Sequence, residues 1–492
     1  MSGIINSPQF FETFPACNPA IQGASRSSLF QATYTALYEI GCMVGAIGAL
    51  LFGDRLGRKR MIMGGAIVVI FGVVIQVTAF AGHWAGGQFI VGRIITGVGN
   101  GFLTSTVPTW HSELSKSHNR GLMVCIEAST ISTGTAVAYW IDYGLSFVNS
   151  SAAWRVPIAL QIIFAIIILI SVPFMPESPR WLISRGWMAE AHQVCGALEP
   201  GPIDHPAVTS QTRVIKESLE GQTRLYKRHM MTSGHSQHLR RVLIGVSSQI
   251  FQQIGGCNAV IYFAPVIYEN YLGLSHNLSL VLGGVNVTVY ALAATGSFFM
   301  IERVGRRKMF LIGSVGQAVA MFITMAGVAK GSHDALKASV FGLFLYLVFF
   351  GATWLELPWL YPAEINPLAT RTNANAISTI NNWLWNFAVV EATPPMLTGI
   401  GWGTFCLFGC INVCFIPVIW FFYPETSGRS LEEVDLIFAR GYTQKISYVK
   451  AAREMPSMDH KQIDDEWRRL GLADRGGQGP FVHGKEEMAI NA

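Results

Sequence analysis

The sequence is short of charged residues for a soluble protein. Only 13% of its 492 residues are charged, whereas soluble domains carry about 25%. Hydrophobic residues make up 51% of the chain, and the mean hydropathy is +0.37. This composition excludes a soluble enzyme, a nucleic-acid-binding protein and a disordered chain. It indicates a helical protein that crosses a lipid bilayer several times.

The sequence also lacks the usual marks of a metal centre, a catalytic site or a nucleotide site. Its eight cysteines form no CxxC pair. Cys406, Cys410 and Cys414 fall on one apolar helical stripe, where packing or lipid contact accounts for them better than a metal does. No Walker motif and no nucleophile–base pair is visible. We therefore expect no enzyme activity, no metal and no cofactor.

Eleven apolar runs are long enough to cross a bilayer, which takes about 20 residues. They lie at about 31–53, 60–81, 87–110, 121–145, 155–174, 242–268, 279–301, 309–329, 338–361, 374–397 and 401–422. Prolines and charges interrupt residues 1–30, which are predicted to hold neither a span nor a signal peptide. The predicted segments are an N-terminal transmembrane half at 1–174, a linker with short helices at 175–241, a C-terminal transmembrane half at 242–423 and a tail at 424–492.

Lysine and arginine predict the orientation in the membrane. Alternate loops carry 20 basic residues against 3 on the other side, and the richer side is cytoplasmic by the positive-inside rule. The linker and the C-terminal tail therefore lie in the cytoplasm. Two glycosylation sequons, which begin at Asn149 and Asn277, fall on the opposite side and agree with this orientation.

An internal repeat relates the two halves. GDRLGRKR at 53–60 matches IERVGRRK at 301–308, and PESPR at 176–180 matches PETSGR at 424–429, both at an offset of 248 residues. Parallel repeats of this kind are typical of transporters. The second half has six predicted spans and the first has five, so the pattern predicts that the first span of the first half is absent. We expect a groove where this span would lie. The span would be missing either because the gene start is misplaced or because the protein works with eleven spans.

The repeated motifs, together with PESPRWL, QQIGGCN and PETSGRSLEE, resemble the sugar-porter family of the major facilitator superfamily. Within the family, EAST, AYWIDYGLS and FAVVEATPPM resemble fungal sugar-transporter-like proteins, a group that includes proton-coupled glycerol importers. The resemblance implies an all-α fold of two six-helix repeats, here lacking one helix. It also implies alternating access and uptake of a sugar or polyol across the plasma membrane, with no nucleic acid as a partner.

Neutral amides in apolar spans mark the candidate substrate site. Buried amides cost free energy unless they are satisfied, and they both donate to and accept from hydroxyl groups. The sixth span carries Gln252, Gln253, Asn258 and Tyr262 beside a Gly255-Gly256 pair that loosens the helix. Interhelical hydrogen bonding and aromatic packing are the structural alternatives. The resemblance adds further residues to the substrate-binding set, namely Ile131, Asn286, Tyr290, Trp359, Asn382, Trp383 and Asn386.

Departures from the hexose-carrier pattern leave the substrate open. Ala128 stands where hexose carriers usually have glutamine, and Tyr290 stands where they usually have asparagine. These departures weaken the case for glucose and leave glycerol, another polyol or an unusual sugar. A sugar sensor of transporter ancestry and an inactive shortened transporter are the alternative functions.

Charges within the spans are candidates for proton coupling, because an isolated charge at mid-membrane costs about 3 kcal/mol or more. The candidates are Glu39, Arg93, Glu127 and Glu356. We expect Arg93 to lie within salt-bridge reach of Glu39 or Glu127, since its usual first-helix partner is absent; a static structural pair is the alternative. The resemblance also implies a cytoplasmic gate of arginine–carboxylate pairs, formed by Asp54, Arg58, Glu113, Arg120, Glu302, Arg306, Glu364 and Arg371.

Overall fold

Long helices build almost all of the described part of the chain. A computed structural model describes residues 2–5, 7–80, 82, 84–114, 120–198, 208–209, 212–213, 215–216, 234, 236–367, 370–456, 458 and 460–470. The helices that carry the argument are α1 Ala24–Leu56, α2 Arg58–Val77, α3 Ala85–Leu114, α4 Arg120–Leu145, α5 Ala152–Ser171, α6 His238–Ile254, α7 Cys257–Val266, α8 His276–Val304, α9 Arg306–Lys330, α10 His333–Phe349, α11 Leu357–Ile365, α12 Arg371–Ile400 and α13 Gly403–Phe422.

Eight candidate membrane spans, not eleven, meet criteria of both length and hydropathy within the described residues. Two of them join shorter helices, since one runs through α6 and α7 and another runs from α10 to the end of α11. The other three predicted spans correspond to α3, α4 and α12, which have 30, 26 and 30 residues. These helices carry more polar residues, among them Asn100, Glu127 and Asn382. The predicted count of eleven is therefore not confirmed.

The N-terminal segment forms short helices rather than a membrane span. Four helical segments, Ser2–Ile5, Pro8–Thr13, Pro15–Cys17 and Pro19–Gln22, precede α1. The side chains of Phe10 and Phe14 pack with Tyr34, Phe89 and Trp154 in an aromatic core. The first long helix then begins at Ala24, earlier than the sequence predicted.

Helices α1–α5 and α6–α13 form two groups that meet along two pairs of helices. In the first group, α3 packs against α1 and α2, and α5 packs against α2. In the second group, α9 packs against α10 and α13, while α6 packs against α12. The two groups contact each other chiefly where α1 meets α12 and where α4 meets α8. This is the architecture expected of two repeats.

Glycines allow α1 and α3 to pack at very short range. A Cβ atom added at Gly97 would lie 2.2 Å from the carbonyl oxygen of Tyr38, and one at Gly101 would lie 2.2 Å from that of Cys42. Small residues that let helix backbones touch are a common means of packing in membranes, where the hydrophobic effect does not drive helices together. This contact fixes α1, which carries Glu39, against α3, which carries Arg93.

Gly57 and Gly305 mark equivalent helix breaks in the two repeats. Their φ angles are 87° and 91°, which glycine adopts without steric cost. Each glycine separates two long helices, α1 from α2 and α8 from α9. We call the end of the bundle that carries these two breaks the basic end, because the arginines and lysines of residues 55–60 and 303–308 lie there.

An open cavity of about 930 Å³ lies between α4, α5 and α8. Its lining includes Thr130, Thr133 and Phe164 from the first group and Phe299 from the second. The motif alignment makes α4 the counterpart of α12, which packs against α6.

Candidate substrate site

The candidate site is built around a break between α6 and α7. Gly255 and Gly256 separate the two helices, and Gly256 has a φ angle of 95°. A Cβ atom at Gly256 would lie 2.8 Å from the ring of Phe408, so the position has no room for a side chain. The break places Gln252 and Gln253 on one side and Asn258 on the other.

The first part of an amide chain joins α6 to α12 and to the segment before α11. Gln252 donates from Nε2 to the carbonyl oxygens of Trp354 at 2.7 Å and Leu355 at 3.0 Å. Its Oε1 accepts a hydrogen bond of 2.8 Å from Asn382. Gln249, one turn earlier, also accepts from Asn382 and donates to the Pro358 carbonyl at 2.7 Å.

The second part of the amide chain crosses the break. Gln253 donates to Gln252 Oε1 at 3.3 Å and accepts from Asn258 Nδ2 at 2.8 Å. Asn258 also donates to Asn386 Oδ1 at 2.6 Å. The structure therefore brings five predicted site residues into one hydrogen-bonded chain, in which Gln252 is 4% exposed and Asn382 is 2% exposed. Such amides can exchange these bonds for those of a hydroxylated solute.

Two predicted tryptophans lie beside this chain. Trp359 is half-buried, and it follows Pro358, whose carbonyl accepts the Gln249 bond. Trp383 adjoins Asn382 on α12, and its buried indole Nε1 finds no hydrogen-bond partner among the described residues. An indole offers a face for stacking and an N–H for donation.

The predicted residues on α8 lie in a separate contact. Asn286 donates to the hydroxyl of Tyr268 at 3.0 Å. Tyr290 is 3% exposed and packs against Phe350, with ring centroids 5.9 Å apart. No hydrogen bond described for either residue reaches the amide chain. Ile131, on α4, is 56% exposed and is likewise not drawn into that chain.

The ion pair predicted for Arg93 is not formed. Within the described part of the chain, Arg93 has no salt bridge to Glu39 or Glu127. It instead donates to the backbone carbonyls of Tyr34 at 3.3 Å and Thr35 at 3.0 Å, and its guanidinium lies 4.5 Å from the centre of the Tyr38 ring. Backbone carbonyls and an aromatic face therefore satisfy this buried cation.

Glu39 is nevertheless close to the other half of the molecule. It is 1% exposed. Its Oε1 accepts a long hydrogen bond of 3.5 Å from Tyr262 on α7, and its Oε2 is buried without a partner among the described residues. An ionised carboxylate with so few donors is costly inside a membrane. The surroundings of Glu39 therefore suit the protonated form.

The remaining candidate carboxylates differ from Glu39. Glu356 is fully buried, and its Oε1 accepts a hydrogen bond from the hydroxyl of Ser297. Glu127 is half-buried on α4. Neither contacts Arg93 in the described part of the structure.

Two similar charge clusters occupy the basic end. In the first half, Arg58 binds Glu113 through Nε and Nη2 at 3.0 and 2.9 Å and Asp54 at 3.2 Å. In the second half, Arg306 binds Glu364 at 2.9 Å and Glu302 at 2.7 Å.

The last predicted members of the two charge clusters are the arginines that begin α4 and α12. The side chain of Arg120 lies outside the described residues. Arg371 donates to the Asn366 carbonyl at 3.3 and 3.2 Å. Each hydrogen bond and ion pair described for the two clusters stays within one half.

Two carboxylates that sequence reasoning did not single out complete these clusters. Glu177 accepts from the backbone N–H groups of Arg58 and Lys59, both at 3.2 Å. Its repeat partner Glu425 accepts from those of Arg306 and Arg307 at 2.8 and 3.1 Å. A carboxylate at a helix N-terminus satisfies free N–H groups and complements the helix dipole. The signal was present in PESPR and PETSGR, which are separated by the repeat offset.

Comparison with known proteins decides the family. The family profile described as "Sugar (and other) transporter" matches residues 1–438. The chain belongs to the sugar-porter family of the major facilitator superfamily. The resemblance inferred from its motifs is thus confirmed.

Relatives of this sugar transporter cover most of its length. It is 44% identical to the sugar transporter STL1 of Saccharomyces cerevisiae, over 96% of this chain and 84% of that protein. It is 41% identical to the major facilitator superfamily transporter mfsA of Aspergillus fumigatus, over 96% of this chain and 88% of that one.

Solved structures of a bacterial transporter share the fold. The proton:xylose symporter XylE bound to 6-bromo-6-deoxy-D-glucose matches with a TM-score of 0.76 and 25% identity, over 89% of this chain and 94% of that one. The inward open conformation of the xylose transporter XylE from E. coli matches with a TM-score of 0.68 and 25% identity, over 88% and 95%. These relatives are transporters and not enzymes.

Proposed function

We propose that this sugar transporter takes up a monosaccharide or polyol across the plasma membrane by alternating access, coupled to protons. The observation that carries the proposal is the buried amide chain from Gln252 to Asn386, in which Asn258 lies one helical turn from Tyr262 and its contact with Glu39. Neutral amides suit an uncharged hydroxylated solute. A buried carboxylate with few hydrogen-bond donors around it favours binding a proton.

The coupling follows from the position of Tyr262. It lies on α7 with Asn258, one turn further along the same helix, and its hydroxyl reaches Glu39 on α1. Solute at Asn258 and a proton on Glu39 therefore both act on α7. A ligand shifts a conformational equilibrium only by its differential affinity for the two states. Binding that favours one arrangement of α7 accordingly favours one protonation state of Glu39.

The proposed substrate is smaller than glucose or needs fewer hydrogen bonds from the site than glucose does. Tyr290 packs against Phe350, at the position where hexose carriers usually place asparagine, and Ala128 offers no hydrogen bond. The solved relative XylE is a proton:xylose symporter, which makes xylose a suitable comparison. Glycerol and xylose are therefore the preferred probes, with glucose as the third.

Uptake measurements test the function. The chain is expressed in yeast cells that lack their own uptake of the probes, and [14C]glycerol, [14C]xylose and [14C]glucose are supplied at pH 5 and pH 7.5. We expect accumulation of glycerol or xylose above the external concentration at pH 5, and its loss when a protonophore is added. Uptake that only equilibrates and ignores the protonophore would remove proton coupling. Surface expression without uptake of any probe would contradict the transport proposal.

A further inference from the structure

The carbonyl group of Gly255 is held by two side chains from different helices. It accepts a hydrogen bond of 2.9 Å from the hydroxyl of Tyr346 on α10 and another of 2.9 Å from Nδ2 of Asn412 on α13. Both side chains are fully buried. Gly255 closes α6, so its carbonyl belongs to the last turn, where the helix itself supplies no partner.

This carbonyl sits at the junction between two differently anchored helices. On one side, α6 is bonded to its own half through the contacts of Gln252 with the carbonyls of Trp354 and Leu355. On the other side, α7 contacts the first half, because Tyr139 donates to the carbonyl of Ile261 and Tyr262 reaches Glu39. The angle between α6 and α7 therefore depends on how the Gly255–Gly256 junction is held.

The amide chain crosses the same junction. Gln253 precedes the break and Asn258 follows it, and their 2.8 Å bond is formed only if the two helices keep their relative orientation. A shift of about 1 Å in a binding group is enough to weaken recognition strongly. Whatever fixes the junction thus also fixes the spacing of the groups proposed to bind the solute.

We propose that Tyr346 and Asn412 are positioning residues for solute binding, which hold the junction through the Gly255 carbonyl. The proposal rests on the proposed transport function for its solute, while the geometry of the junction is independent of it. Neither residue belongs to the amide chain. Their effect on affinity is transmitted through the backbone between Gln253 and Asn258.

The hydrogen bonds of Asn412 allow an effect on solute positioning to be distinguished from an effect on folding stability. Its Nδ2 also donates to the Phe408 carbonyl at 2.8 Å, while its Oδ1 is buried without a partner among the described residues. Replacing it by leucine removes the two donated hydrogen bonds, to Gly255 and Phe408, and at the same time removes an unsatisfied acceptor. The two effects on folding oppose each other, so Asn412→Leu is expected to fold.

The test compares Tyr346→Phe and Asn412→Leu with the wild-type chain. For the probe that the wild type takes up, we expect the KM of each variant to rise about threefold to tenfold, the range given by the loss of one hydrogen bond. The maximal rate should stay within about twofold, since no group of the amide chain is removed. The second readout is the alkylation rate of Cys257 in purified protein with N-ethylmaleimide, followed by mass spectrometry of its peptide.

Cys257 reports on the junction without any transport. Its thiol is 2% exposed and donates to the Gln252 carbonyl at 3.2 Å, across the break. A loosened junction should raise its alkylation on the order of fivefold. Tyr423→Phe is the matched control, because it also removes a buried tyrosine hydroxyl bonded to α6, at Ser247, but away from the break.

The outcomes are distinct. A raised KM and faster Cys257 alkylation in both variants, with neither change in Tyr423→Phe, supports the proposal. Unchanged KM and unchanged alkylation overturn it, and so does an equal effect of Tyr423→Phe, which would indicate a general loss of stability. If the wild type takes up no probe, the transport function fails, and the alkylation rates alone still decide whether these residues hold the junction.

Discussion

At the scale of single residues, the buried polar groups fall into satisfied and unsatisfied sets. The amides of the chain from Gln252 to Asn386 bond one another, and Arg93 is satisfied by backbone carbonyls and the Tyr38 ring. Glu39, in contrast, has one oxygen with a long hydrogen bond and one with none described. Because an unsatisfied charge is more costly in a membrane than in water, the protonation state of this residue should follow conformation.

The first residue-scale prediction concerns Glu39. The variant Glu39→Gln keeps the size and the hydrogen-bonding capacity of the side chain but cannot release a proton. We expect it to lose accumulation of solute against a gradient while retaining solute exchange across the membrane. Counterflow and net uptake measured on the same cells separate the two.

The control for Glu39→Gln is Glu391→Gln, which changes a carboxylate bonded to Thr33 at 2.8 Å and should leave accumulation intact. A salt bridge between Arg93 and Glu39 is not required for this outcome. Accumulation that survives both Glu39→Gln and Glu127→Gln would remove these carboxylates as the coupling site.

A second residue-scale prediction concerns Gln252. Leucine at this position would leave the carbonyls of Trp354 and Leu355 without their donor and Asn382 without one acceptor. Each buried group left unpaired costs about 1–3 kcal/mol. We therefore expect the KM for the solute to rise by about tenfold or more.

Gln317→Leu is the matched control for Gln252→Leu. Gln317 is 2% exposed on α9, and its Nε2 has no partner among the described residues. Leucine there removes an unsatisfied group, so protein yield and KM should stay near the wild-type values. Equal losses in the two variants would contradict a specific role for Gln252.

At the scale of elements, helix breaks and glycine contacts position the polar groups. The break at Gly255–Gly256 exposes backbone for Tyr346 and Asn412, and it sets Asn258 against Gln253. The close contact of α1 with α3 sets the height of Glu39 relative to Arg93. Each device uses glycine where a side chain has no room.

The element-scale prediction tests the contact of α1 with α3. Alanine at Gly97 would place Cβ 2.2 Å from the Tyr38 carbonyl, so the helices must move apart. We expect a loss of about 1–3 kcal/mol of folding stability, as for other overpacked sites, seen as a lower Tm in detergent. Gly64→Ala, on α2 with no heavy atom within 4 Å of its Cβ, should keep or slightly raise Tm. A similar Tm for the two variants would show that the contact is not tight.

At the scale of the whole molecule, the two repeats meet through α1 with α12 and α4 with α8. Hydrogen bonds between the halves join Thr33 to Glu391 at 2.8 Å and Trp140 to Thr288 at 3.0 Å. Among the described contacts, those of Arg58 and Arg306 at the basic end instead stay within each half. A half that carries its own charge cluster can rock against the other as a unit, which the proposed alternating access requires.

The whole-molecule prediction concerns orientation. The excess of basic residues predicts that the end bearing Arg58 and Arg306 faces the cytoplasm. Cysteine introduced at exposed Ser150 should react with a membrane-impermeant maleimide on intact cells. Cysteine introduced at exposed Lys450 should react only after permeabilisation, and peptide mass spectrometry distinguishes both from native cysteines. Labelling of Lys450→Cys in intact cells would reverse the assignment.

The sequence by itself determined the helical membrane class, the repeat and the family. These depend on local composition and on motifs such as GDRLGRKR and IERVGRRK, which can be recognised without knowledge of their tertiary contacts. It also singled out Gln252, Gln253 and Asn258, because amides in an apolar helix need partners wherever that helix packs, and the family resemblance added Asn382 and Asn386.

Only the tertiary structure decided which partner each polar group meets. That choice depends on the rotation and height of neighbouring helices, and the sequence of one helix does not specify either. Arg93 therefore binds backbone carbonyls and a tyrosine ring rather than a carboxylate. In the same way, Glu177 and Glu425 cap helices that lie more than a hundred residues away, and Tyr346 and Asn412 converge on Gly255 from two different helices.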